Sequence, residues 1–226
     1  MTSLASWIYH WQTLLTGLLA IAAAFVGGYF VNKQIVDARR LEADRIARRF
    51  SAMRSVLPLT LSYLSAYARD NAEALKDIYS RKENNEIPNT INLPKLPELP
   101  LDVVPQLRDM IETSDKNVAK VIAELLAKIQ VQSSRIGSLK RWRSSPQREM
   151  VTSLNIEGYI LDTAEIYARA AALFDFARRK SDTVRYLVTS SELKSALDQL
   201  GFWREDFVSL HEQTDRRARY IAKEAS

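Results

Sequence analysis

No Lys, Arg, Asp or Glu occurs between Met1 and Asn32, and nothing else in the chain restricts its folding so tightly. Within this run lies WQTLLTGLLAIAAAFVGGYFV, Trp11 to Val31. A helix rises about 1.5 Å per residue, so about 20 apolar residues cross the ~30 Å hydrocarbon layer of a bilayer. Trp7, Tyr9 and Trp11 stand at one end of the run and Tyr29 and Phe30 at the other, where amphipathic rings would meet lipid headgroups. A core helix of a water-soluble domain would be shorter and would carry a polar edge. Residues 11–31 are therefore expected to form a transmembrane helix, with residues 1–10 as a short extracytoplasmic stub.

A cleaved export signal is the rival reading, because AIAAA at Ala20 to Ala24 offers small residues for cleavage. Such a signal opens with positive charge, and here only the terminal amine and His10 could supply it. The apolar run also continues past the alanines into FVGGYFV, and arginines follow. Basic flanks stay on the cytoplasmic side. This predicts a retained single-pass anchor with its N-terminus outside and its C-terminus inside.

Thr16, Ala20, Ala24 and Gly28 recur every four residues and so share one helix face. Ala23 and Gly27 adjoin them. Lipid already solvates apolar side chains, so membrane helices pair by close approach over small residues. Two readings of the row stand: a packing face for a homodimer, or the ordinary abundance of alanine and glycine in such helices.

The 226 residues are 46% hydrophobic and 26% charged, which leaves one folded domain beside the anchor. The absence of cysteine excludes disulfides, thiolate nucleophiles and cysteine-ligated metals. The formal charge of +5 suggests nucleic acid until the chain is divided. Residues 1–57 hold seven basic and three acidic groups, and the remainder holds 25 and 24. A nucleic-acid-binding domain concentrates charge where it binds, so nucleic acid is not an expected partner.

Residues 32–57, rich in Ala, Arg, Leu and Glu, read as a basic juxtamembrane helix. Lys33, Arg39 and Arg40 are placed to meet anionic headgroups of the lipid bilayer, at about 1 kcal/mol each. From Arg48 onward the charges read as solvated groups that set topology. Pro58 should end or kink this helix near Val56.

Residues 58–226 read as an antiparallel helical bundle, making the chain all-α. Leu57, Leu61, Leu64, Ala68, Leu75 and Ile78 mark one buried stripe, interrupted by Asn71. IPNTINLPKLPELPLDVVP then repeats Leu-Pro every three residues. In polyproline II geometry Leu93, Leu96 and Leu99 share a face, so residues 87–105 read as a strap over the core or as a docking ligand for an unknown protein partner. Asp102 is positioned to cap a helix reaching Thr113. Val118, Ile122, Leu125, Ile129, Ile136 and Leu139 give the next stripe, broken only by Gln132. Ser145-Pro146 reads as the start of a helix to about Lys180, with Ile160, Ala164, Tyr167, Ala171 and Phe174 inward. Thr189 and Glu192 form a capping box. The last helix is expected to run from there to the C-terminus through Leu193, Leu197, Leu200, Phe207 and Ile221, bent at Gly201.

WQTLLTGLLAIAAAFVGGYFVNKQI resembles the Trp-led anchors of uncharacterised bacterial single-pass inner-membrane proteins with a cytoplasmic helical domain. The resemblance implies location in the bacterial inner membrane and carries no activity. FVSLHEQTD, through His211 and Glu212, resembles the phosphoacceptor box of sensor histidine kinases, without the proline that family carries a few positions later. That resemblance implies an alternative role as a signalling component whose bundle accepts a phosphate on His211.

Lys140, Arg141, Trp142 and Arg143 cluster, as do Arg178, Arg179 and Lys180. They could hold phosphate or a headgroup, or meet the carbonyls at helix C-termini. Six scattered glycines make no phosphate loop, and no H-E-x-x-H occurs. No catalytic residue, cofactor or metal is expected. The expected function is a non-enzymatic, membrane-anchored interaction or scaffold protein.

Overall fold

The computed structural model describes residues 4–88, 90–144 and 151–224. The protein is all-α: one long, apolar N-terminal helix is followed by a helical bundle. The helices are α1 (Leu4–Ser80), α2 (Val103–Thr113), α3 (Lys116–Ser144), α4 (Ser153–Ala177), α5 (Ser190–Gln199) and α6 (Val208–Glu224). No strand forms among the described residues. One isolated bridge, Glu83 to Glu86, closes a turn within the link after α1, and a second, Glu86 to Thr152, ties that link to the start of α4. The chain divides into two units, Met1–Arg49 and Phe50–Ser226, and α1 contributes residues to both.

In the first unit every described side chain from Trp11 to Arg49 is exposed. The second unit is built around α4. Side-chain contacts run Arg54 to Phe176, Arg69 to Tyr167 and Tyr79 to Glu157, so the later part of α1 lies antiparallel to α4. Lys128 meets Glu165 and Gln132 reaches the Tyr159 carbonyl, which makes α3 antiparallel to α4 as well. On a further side α6 runs parallel to α4, with Ser209 near Glu157 and Arg217 near Glu165. α5 meets α6 head to tail, through Lys194 to Asp215 and His211 near Asp198.

Encirclement explains why α4 shows no simple stripe. Residues Ile160 to Ala170 are buried without a break. Ile160, Ala164 and Tyr167 face inward as the spacing suggests, but Ala171 is exposed and Phe174 only half-buried. One side of α4, through Ile156, Ile160 and Ala164, packs with Leu75, Ile136, Leu197 and Phe202. The other, through Ile166, Ala170 and Leu173, packs with Leu61, Leu107, Ile122 and Leu125.

The expected stripe of α1 is fully buried from Leu57 to Ile78, and so is Asn71, which donates to the Tyr67 carbonyl at 2.8 Å. Burial raises the pKa of the neighbouring Tyr67 phenol. Of the two outcomes expected at Pro58, an end or a kink, the end does not occur: α1 runs on to Ser80. A proline removes one backbone bond, and packing of Leu57, Leu61 and Leu64 outweighs that loss here. Beyond α1 the chain is extended, and its exposure repeats every three residues: Leu93 and Leu96 buried, Pro94 and Pro97 half-buried, Lys95 and Glu98 exposed. That is the period of polyproline II. Leu99 is half-buried against the second core cluster, and Lys140 of α3 meets Glu98 at 3.3 Å.

Several helix boundaries differ from the sequence expectation. Ser145-Pro146 lies outside the described residues. α4 begins at Ser153, capped by Thr152 in a reciprocal box with Asn155, so an asparagine replaces the usual Glu or Gln. Asp102 stands at the N-cap of α2 but makes no side-chain cap bond. Thr189 and Glu192 do form their box. Gly201 does not bend a continuous last helix; it terminates α5. With φ at +84°, Gly201 donates to Asp198 O at 3.0 Å and Phe202 to Leu197 O at 2.9 Å, the two bonds of a Schellman ending. Phe202, fully buried, anchors the turn. Glu205 and Asp206 consequently lie in the exposed turn before α6 rather than on a helix.

A side chain is strained in the left-handed conformation by about 1–2 kcal/mol. Gly201→Ala is expected to lower the chain's stability by that amount, read as a shift of the urea midpoint at unchanged slope.

Candidate functional site

Two regions carry the residues of interest. The first is the apolar part of α1. Thr16, Ala20, Ala24 and Gly28 are all exposed there. The Thr16 hydroxyl donates to the Gln12 carbonyl at 2.7 Å, an inward bond that hides its polarity. A Cβ added at Gly28 would meet nothing within 4 Å. Ala24 and Gly28 form the floor of a shallow groove beside Phe25 and Tyr29. Phe25 is 76% exposed and Leu19 66%. This helix is long and apolar enough to cross a membrane, and none of its apolar window is covered by the rest of the protein. Lys33, Arg39 and Arg40 follow on the same helix, exposed, and make no ion pair among the described residues.

The second region is a buried ionic centre on α4. Glu165 is completely buried and accepts from Arg169 at 2.9 Å and from Arg217 of α6 at 2.9 Å, with Lys128 of α3 at 3.6 Å. Asp162, also buried, pairs with Arg135 of α3 and Arg217 of α6. Burial alone would raise the Glu165 pKa, but Arg217, Arg169 and Lys128 together outweigh it and hold the carboxyl below its ordinary value. Two carboxylates therefore face four cations from three helices. Arg169 Nη1, Gln132 Oε1 and Asn71 Oδ1 are buried without a hydrogen-bond partner among the described residues. Sequence reasoning missed this centre. Asp162, Glu165 and Arg169 fall at i, i+3 and i+7 on one edge of the helix; the signal for their burial is that the other edges of α4 are apolar too.

By its place after Arg48, Arg54 is expected to be a solvated charge of the juxtamembrane segment. Instead it is buried within the second unit, which begins at Phe50. It donates to Phe176 O at 2.8 Å, Ser181 O at 2.7 Å and Asp182 Oδ1 at 3.0 Å. Its guanidinium also lies 4.2 Å from the Phe176 ring centroid. Arg54 thus satisfies carbonyls at the C-terminus of α4, where cations are favoured.

The two basic clusters are drawn into packing. Trp142 is buried in the core, Lys140 pairs with Glu98, and Arg141 donates to Ser138 Oγ at 3.0 Å; the side chain of Arg143 lies outside the described set. Arg179 donates to Ser51 and Ser55 of α1, and Arg178 lies over the Phe174 ring. His211 is buried, with Nε2 donating to Phe202 O at 2.8 Å, so this nitrogen presents no free lone pair in the arrangement seen. Asp215 accepts from Ser190 and Lys194, which hold its pKa below the ordinary value.

Removing one member of a buried ionic cluster leaves its partners uncompensated. Glu165→Gln is expected to cost about 3–5 kcal/mol at neutral pH, measured by urea unfolding. Because the folded-state pKa of Glu165 is depressed, its stabilisation is complete above the ordinary value of 4.5 and is lost as pH falls through the lower folded value. The wild-type melting temperature should accordingly fall more steeply in that acid range than that of Glu165→Gln. Arg54→Ala should cost about 2–3 kcal/mol. Asp182→Asn should cost no more than about 1 kcal/mol, because the Asp182 side chain is 93% exposed.

The chain matches no protein-family model, no curated protein and no solved structure.

Proposed function

We propose that the protein is a non-enzymatic, membrane-anchored interaction or scaffold protein of the bacterial inner membrane. It crosses the bilayer once, with its N-terminus outside and its helical unit in the cytoplasm. The observation that carries this reading is the bare apolar stretch of α1. Water-exposed side chains such as Phe25 and Leu19 each forgo about 1.5–3 kcal/mol of burial, and the second unit has complete cores of its own. A bilayer supplies the missing apolar surroundings over the right length.

Orientation rests on Lys33, Arg39 and Arg40, which follow the apolar stretch directly and favour the cytoplasmic side. At that depth they can also reach anionic headgroups. The row of Thr16, Ala20, Ala24 and Gly28 supports pairing of two copies, since small residues let helix backbones approach closely. The helical unit then serves as the surface that meets a protein partner.

Alkaline washing should leave the full chain in the membrane pellet. A protease added to intact cells should spare the C-terminal unit, and the same protease added to inverted vesicles should digest it. A chain released into the supernatant would defeat this reading. Replacing Ala20, Ala24 and Gly28 together by Leu should weaken self-association of the anchor by roughly tenfold, the equivalent of about 1.4 kcal/mol, read by energy transfer between labelled chains in vesicles.

A further inference from the structure

Among the described residues, most cations of the second unit near α4 are engaged by carboxylates or backbone carbonyls. Arg69 and Arg178 are not. A cleft of about 300 Å³ opens between α1 and α4, and both arginines line it. Arg69 donates one N–H to the Tyr167 hydroxyl at 3.1 Å, and its guanidinium lies 5.5 Å from the Tyr167 ring centroid. Arg178 lies 4.9 Å from the Phe174 ring centroid. Neither makes an ion pair with a described residue, and no carboxylate lines the cleft among the described residues. Asp175 and Glu192 line an adjoining cleft, which shares Tyr167 and Ala171 with this one and carries Arg185.

The surroundings hold these two groups in place. The Tyr167 hydroxyl accepts from Arg69 and donates to Gln199 Oε1 at 2.9 Å, so the contact that orients Arg69 is itself fixed. Each guanidinium lies over an aromatic ring, an attraction that favours its place in the cleft. Between them lies Ala171, exposed and small, which leaves the cleft floor open. Ser62 and Ser65 also line the cleft, but their hydroxyls donate within the helix, to Pro58 O and Leu61 O, both at 2.8 Å. The donors left for a ligand are therefore the remaining N–H groups of two guanidiniums.

We propose that this cleft is a binding site for a phosphate-bearing ligand. A guanidinium is a planar fork that matches a phosphate or carboxylate edge. Two forks carry a charge of about +2, which a phosphate monoester dianion neutralises and a single carboxylate does not. The volume admits a phosphate with a small organic group, and the rings of Tyr167 and Phe174 give that group apolar walls. A soluble phosphorylated compound and a lipid with a phosphate monoester headgroup offer the same chemistry.

The test uses the full chain in an uncharged detergent, titrated calorimetrically with inorganic phosphate at constant ionic strength. Saturable binding is expected, weakened roughly tenfold or more by Arg178→Gln and by Arg69→Gln. Arg178 is exposed and outside both cores, so its variant should keep the wild-type melting curve. Arg178→Lys, which keeps the charge and loses the fork, should restore only part of the affinity. A repeat in phosphatidylcholine nanodiscs, with and without phosphatidic acid, separates the sources. Loss of phosphate binding when phosphatidic acid is present assigns the site to a headgroup, and unchanged binding assigns it to a soluble compound. Absence of saturable binding, or binding that Arg178→Gln and Arg69→Gln leave intact, would overturn the proposal.

Discussion

Glu165 sits at the centre of the second unit with no access to water, and its charge survives only because three other side chains converge on it. A buried carboxylate deprived of partners costs several kcal/mol, and so does each abandoned cation. Sliding α3 or α6 by one turn along α4 would part Lys128 or Arg217 from Glu165 and Arg135 from Asp162. Apolar contacts alone tolerate such slips, because leucine meets leucine in many registers. The ionic centre therefore selects one alignment of three helices, while the two hydrophobic clusters on either side of α4 supply most of the cohesion.

This division of labour explains what could be read from the sequence. The stripes of α1 and α3 were legible because each helix has one face in the core and one in water, so period and burial coincide. The capping box of Thr189 and Glu192 was legible because it is a local bond between near neighbours. The stripe of α4 is only partly legible because its pattern is set by what surrounds it: from Ile160 to Ala170 the helix is buried without a break and needs no polar face, and its charges turn inward. At Pro58 the reverse holds, since the helix end that a local rule allows is overridden by the packing of Leu57, Leu61 and Leu64.

The residues singled out for function divide in the same way. Those of the first unit, from Thr16 to Arg40, form an uninterrupted chemical gradient along one helix, apolar and then basic, which needs no tertiary knowledge to recognise. Arg54 and Arg69 gain their roles from partners more than ninety residues away in sequence, and Arg178, which lies over nearby Phe174, gains its role from the cleft it shares with distant Arg69. Counting basic residues by position could not separate the buried arginine, the stacked ones and the solvated ones. Gly201 belongs with these, because its left-handed turn is meaningful only once Phe202 is known to be buried behind it.

The extended segment with its Leu-Pro repeat has a counting property that helices and strands lack. Each residue turns the chain by a third of a revolution, so one inserted residue would swing Leu96 outward and bring a charged neighbour against the core. Three inserted residues would restore every facing and merely lengthen the strap. Length variants of this segment should therefore be tolerated in triplets, a rule of arithmetic that a helix enforces at seven and a strand at two.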